Sequence, residues 1–133
     1  MITEVQRRSA RERARLAAAV RETLGALGYE EVETPCLVPA PGMEPHLDHF
    51  LAPWRPEEGT PRPLWLHSSP EYAMKRLLAD GWERIFQLAR VFRNGEVSAT
   101  HNPEFTMLEF YWAGAGYLGI MEDLERLVEG GAR

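Results

Sequence analysis

Residues 92–112 read "FRNGEVSATHNPEFTMLEFYW". Arg93 to Asn102 are nearly all polar or small, and the run that follows is densely apolar with one acid, Glu109. The preceding "ERIFQLARVFR" (83–93) has the composition of a strand. Two neighbouring β runs joined this way predict an antiparallel hairpin with a long, functional loop. Side chains two apart on a strand share a face. Phe105, Met107, Glu109 and Tyr111 therefore take one face, and Thr106, Leu108 and Phe110 the other. At strand rise, Phe105 and Tyr111 lie about 20 Å apart, enough for a nucleotide and a small amino acid. A buried unpaired carboxylate is costly, so Glu109 suits a ligand ammonium. A partly exposed face with a solvated Glu109 fits the pattern equally well.

Working outward, Thr3 caps a helix running to about Leu27, with Val5, Leu16, Val20, Leu24 and Leu27 at helical spacing and Gly28 at its end. Arg7, Arg8, Arg11, Arg13 and Arg15 make its first half basic: a solvated face, or a contact for an acidic partner. "YEEVETPCLVPAP" (29–41) reads as one strand stopped by Pro35, Pro39 and Pro41. Residues 42–62 read as loop, with a short strand around His49 to Leu51. "PLWLHS" (63–68) is a further strand. Ser68 or Ser69 caps a helix from Pro70, with Glu71 in its first turn and Met74, Leu77 and Leu78 inward. "LGIMEDLERLVEGG" (118–131) reads as an amphipathic helix burying Ile120, Leu124, Leu127 and Val128. Strands mixed with helices indicate an α+β fold.

The chain has 133 residues, enough for one core. Its net charge of −5 argues against a general nucleic-acid-coating role. The single cysteine, Cys36, excludes an internal disulfide, suits a reducing, cytoplasmic setting, and reads as a small core residue. No apolar run reaches the length of a membrane span, and no secretory signal is legible. His46 and His49, without further ligands nearby, are poor evidence for a metal.

"FRNGEVSATHNPEFTMLEFY" resembles the second signature motif of class II aminoacyl-tRNA synthetases in its lysine-specific form (motif 2, about 90–112). "GYEEVETPCL" is similar to their motif 1 (about 28–37), and "SSPEYAMKRLL" to their substrate segment (67–78). "SPEY" and "PGMEPHLDHF" resemble the lysyl-tRNA synthetase paralogue that modifies elongation factor P. Only one helix precedes motif 1, so an anticodon-reading domain is not expected and tRNA is not the expected acceptor.

The resemblance implies a class II-like antiparallel sheet flanked by helices, ending before motif 3. Residues 1–133 would be the N-terminal part of a catalytic domain. It implies ATP- and Mg²⁺-dependent activation of lysine or β-lysine as an adenylate, then transfer to a lysine of elongation factor P. By similarity Arg93 is the catalytic arginine on the α-phosphate. Asn94, Gly95, His101 and Asn102 contact ATP, and Phe105 stacks on adenine. Ser69, Pro70 and Glu71 hold the amino-acid end, while Glu109 and Tyr111 take the side-chain ammonium. Metal ligands belong to the part of the family core beyond this sequence. Motif 1 implies a homodimer. Where the family reads "FRNE", this chain has Gly95, so ATP contact there is limited to backbone unless Glu96 substitutes. Two other readings stand beside this one: a non-catalytic synthetase-like binding module, and the core of a true lysyl-tRNA synthetase.

Overall fold

The computed structural model describes residues 1–131. Its elements fall into two compact units.

The first unit comprises residues 1–31, 83–86 and 110 onward. Helix α1 (Glu4–Ala26) starts at the expected cap. Thr3 Oγ1 accepts from the Gln6 N–H at 3.2 Å, and Gln6 Oε1 accepts from the Thr3 N–H at 2.9 Å, a reciprocal capping box. Gly28 follows the helix with φ +83°, a left-handed turn that favours glycine. Of the expected inner face, Val20 and Leu24 are buried, but Val5 and Leu16 are exposed. The buried residues lie in the C-terminal part of α1, the part that meets helix α3 (Tyr117–Gly131). The two approach closely at Gly130, where a Cβ would lie 2.6 Å from Thr23 Oγ1.

Strand β1 (Glu30–Glu31) pairs in parallel with the start of β5 (Arg84–Phe92), Glu30 opposite Ile85. Strand β6 (Glu104–Trp112) lies on the other side of β5. The Arg93 N–H donates to Pro103 C=O (2.9 Å) at the loop, and the Ala113 N–H to Glu83 C=O (2.7 Å) at the far end. These bonds make β5 and β6 the expected antiparallel pair.

Helix α3 departs from its predicted face. Leu127 is buried, but Leu124 and Val128 are exposed, and Asp123 points inward at 3% exposure. The carboxylate is tolerated because it is paired. Tyr29 Oη donates to Asp123 Oδ2 at 2.8 Å, and Arg84 Nη2 lies 3.8 Å from the same oxygen. The Arg84 guanidinium stands 3.4 Å from the Trp112 ring centroid and donates to Leu27 C=O. The Phe110 ring meets Tyr29 edge-on at 5.7 Å.

Burial, and then the bond to Asp123, push the Tyr29 phenol above its ordinary range. A raised folded-state value means that the stabilisation is complete below the unfolded tyrosine value of about 10 and lost as pH rises above it. Alkaline titration of stability should therefore show a fall beginning near pH ~10, with a slope of up to about 1.4 kcal/mol per pH unit. Tyr29→Phe should remove that component. An unchanged slope in the variant would assign the fall to other groups.

The second unit comprises Val32–Trp82 and Gln87–Glu109. It holds the sheet β2–β4–β3 and helix α2. The single strand expected over 29–41 is in fact two: β1, and β2 (Leu37–Val38), which belongs to the other sheet. In the break, Thr34 is buried and its hydroxyl donates to Gln87 Oε1 at 3.0 Å, and Pro35 has no N–H to continue a ladder.

The stretch read as loop contains β3 (Leu51–Trp54), later and longer than expected, which forms an antiparallel pair with β4 (Arg62–Leu66). Prolines disguised this hairpin. Pro53 lies directly opposite Pro63, so both missing donors fall at one rung. Helix α2 (Glu71–Ala79) has Pro70 rather than a serine at its N-cap, and Ser69, one residue further out, accepts the Glu71 N–H on its Oγ at 3.0 Å. Met74, Ala89 and Val91 form the core of this unit. Cys36 is half-buried rather than core, with Sγ 3.9 Å from Arg90 C=O. Among the described residues, no helix is long and apolar enough to cross a membrane.

Candidate active site

The buried His67 connects three segments of the second unit. Its N–H donates to Cys36 C=O (3.0 Å), its C=O accepts from the Phe92 N–H (3.0 Å), and its Nε2 lies 2.7 Å from Arg90 C=O. The "SSPE" segment that follows His67 is thereby held beside the end of β5, where Arg93 enters the loop.

Ser69 draws the acid candidates together. Its Oγ donates to Glu109 Oε1 while accepting the Glu71 N–H. The Glu109 carboxylate and the Glu71 backbone, far apart in sequence, are thus joined through one hydroxyl. Pro70 is fully buried and fixes the start of α2 between them. Tyr111 lies two residues beyond Glu109 on β6, at the start of the segment that belongs to the first unit.

Arg93 is the other centre. Its guanidinium carbon lies 5.2 Å from the Phe105 ring centroid, and its Nη1 is 3.8 Å from Glu96 Oε2. Its Nε is buried and has no hydrogen-bond partner. A buried donor left unmade costs about 1–3 kcal/mol, so this geometry favours an acceptor from outside the chain. A guanidinium fork suits phosphate or carboxylate oxygens.

The loop candidates separate. Asn94 bridges to Asp48, its N–H donating to Asp48 C=O at 2.9 Å. Gly95 has φ +80°, and a Cβ there would stand 4.0 Å from Asp48 Oδ2. The glycine is thus a backbone requirement of this loop. Glu96 turns to Arg93, giving the arginine a partner within the loop. Restoring the family residue as Gly95→Glu should cost about 1–2 kcal/mol, the penalty of a left-handed non-glycine residue. Urea denaturation would measure it; an unchanged midpoint would mean the loop relaxes freely. His101 and Asn102 are exposed. His101 Nδ1 lies 2.9 Å from Ser98 Oγ and 3.2 Å from Thr100 Oγ1, within a local turn of the loop.

Sequence reasoning missed two participants. Asp48 carried no local signal, since its bridge to Asn94 is long-range. Lys75, which pairs with Glu71 Oε1, was legible as an i,i+4 partner. Among the described residues, no group of three or more His, Cys, Asp or Glu could hold a metal ion.

Comparison with known proteins places this geometry in context. The family model for class II tRNA synthetases (D, K and N) matches residues 1–133. The chain is 39% identical to the lysine–tRNA ligase of Bordetella bronchiseptica over 131 residues, covering 96% of this chain and 24% of that protein. It is 41% identical to that of Laribacter hongkongensis over 120 residues, covering 88% and 22%. With the Dichelobacter nodosus lysine–tRNA ligase the figures are 40% over 133 residues, 98% and 25%. The chain thus spans about a quarter of the length of these curated relatives. This α+β chain, matched along its whole length by the family model, belongs to the class II tRNA synthetases.

Proposed function

We propose that this chain contributes the amino-acid and α-phosphate halves of a lysine-activating site. The observation that carries the reading is Arg93, whose buried Nε lacks an acceptor while the Phe105 ring flanks its guanidinium. In the reaction a carboxylate oxygen of lysine attacks the α-phosphorus of ATP, the bond to the bridging oxygen breaks, and pyrophosphate leaves. Negative charge builds on the α-phosphoryl oxygens, and a fixed guanidinium stabilises it. Phe105 offers a ring for adenine. Glu71, whose N–H is held by Ser69, and Glu109, whose carboxylate accepts from Ser69, take the ammonium groups of lysine or β-lysine. Asn94, the Gly95 backbone, His101 and Asn102 line the ATP loop. Catalysis is positioning and electrostatics, without a covalent protein nucleophile.

In this reading the acceptor is a lysine of elongation factor P, on the strength of "SPEY" and "PGMEPHLDHF", and the protein acts as a cytoplasmic homodimer. The second reading is tRNA as acceptor, favoured by relatives that are lysine–tRNA ligases. Lysine-dependent ATP–pyrophosphate exchange by the full-length gene product, with Mg²⁺, tests activation; absence of exchange with either lysine isomer defeats it. Transfer of labelled lysine to elongation factor P or to tRNA then decides the acceptor. Residues 1–133 alone are expected to be nearly inactive, because they span about a quarter of the length of the curated relatives.

A further inference from the structure

His49 and Arg93 are brought together by the fold. An antiparallel bridge joins Asp48 to Asn94, with the Asn94 N–H on Asp48 C=O at 2.9 Å. In antiparallel register the next pair is His49 opposite Arg93. The Arg93 N–H is taken by Pro103 C=O on β6. His49 and Arg93 are therefore a pair without mutual backbone bonds, the kind whose side chains stand closest on one face.

The same two side chains carry a concentrated polar deficit. Among the described residues, four buried side-chain nitrogens lack a hydrogen-bond partner. Three of them are His49 Nδ1, His49 Nε2 and Arg93 Nε. The fourth, His67 Nδ1, belongs to a ring whose other nitrogen already meets Arg90 C=O. A neutral imidazole has one N–H and one lone pair, so in either tautomer His49 holds an unmet donor. Burying such groups unpaired is costly. Glu96 does not relieve the deficit: it reaches Nη1 of Arg93, at 3.8 Å, and not the buried Nε.

We propose that His49 is a second donor to the anion that Arg93 binds: its N–H meets a phosphoryl oxygen of a bound nucleotide beside the guanidinium fork. The inference rests on the lysine-activation reading, which sets Arg93 on a nucleotide phosphate, and adds a ligand contact from the segment just before β3. The arginine supplies charge, and the imidazole supplies a directed donor on the same face. Losing a hydrogen bond to a charged group corresponds to about 10- to 100-fold in affinity.

Calorimetric titration of the full-length gene product with ATP, without lysine, tests this. His49→Phe should bind ATP about 10- to 100-fold more weakly. Of His49→Asn and His49→Gln, whose amides set an N–H near Nδ1 or Nε2, one should recover part of the loss. Wild-type affinity in His49→Phe overturns the proposal. Urea denaturation without ligand separates a binding role from a structural one. Removing unmet buried groups should leave His49→Phe, or the smaller His49→Leu, at least as stable as the wild type. A clear loss of stability in both would show that the fold itself satisfies the ring, and overturns the proposal. On an Arg93→Ala background, His49→Phe should cost less than it does alone, because both residues act on one ligand; full additivity overturns the shared contact. If ATP binding depends on His49 but neither lysine isomer supports exchange, the lysine-activation reading fails and the His49 contact stands. If exchange proceeds and ATP binding ignores His49, the contact alone fails.

Discussion

Asp123→Ala is expected to lower the free energy of unfolding by about 3 kcal/mol, measured by urea denaturation of the chain. The substitution strips the buried Tyr29 hydroxyl of its acceptor and leaves Arg84 without its carboxylate. An uncompensated buried group costs its full desolvation penalty, more than the net worth of the bond it lost. Against a typical total of about 5–15 kcal/mol, this is a large share. Asp123→Asn should cost less, because its carbonyl still accepts from Tyr29. Combining Asp123→Ala with Tyr29→Phe should cost less than the sum of the two, because the second change removes the orphaned hydroxyl. A loss under about 1 kcal/mol for Asp123→Ala, typical of a surface site, would show that solvent enters and satisfies the node.

Arg93→Ala is expected to slow lysine-dependent ATP–pyrophosphate exchange in the full-length gene product by about 10²–10³-fold. Its effect on stability should be small. The arginine makes a ring contact with Phe105 and one long pair with Glu96, and it keeps a buried donor unsatisfied. Losing the contacts and losing the orphan offset each other. A large rate effect with an unmoved melting temperature is the signature of a residue held for a ligand. Arg93→Lys should recover only part of the rate, since a point charge cannot reproduce the guanidinium fork. A variant that unfolds, or one that exchanges normally, would remove Arg93 from the chemistry.

Much of the scaffold was legible because its signals are local. Thr3 with Gln6, the β5–β6 hairpin around a polar loop, and Ser69 ahead of α2 each announce themselves within a few residues. The parity of β6 likewise put Phe105 and Glu109 on one face before any contact was known. The candidate residues were nameable from their motifs, but their partners were not. Ser69 reaches Glu109 across forty positions of sequence, and Asp48 meets Asn94 across a gap that no local pattern encodes.

Amino-acid order by itself determined where α1 and α2 start, which residues could alternate along β6, and which side chains could bear charge in the site. Tertiary structure alone decided the rest. It split 29–41 between two sheets, because Thr34 is drawn inward to Gln87. It turned Asp123 inward in place of Leu124, because Tyr29 and Arg84 were there to receive it. It required glycine at position 95, where φ is +80° and the neighbouring Asn94 is bonded to Asp48. Caps and periodicity depend on a residue's near neighbours, whereas burial of a charge and the handedness of a loop depend on what the rest of the chain brings against it.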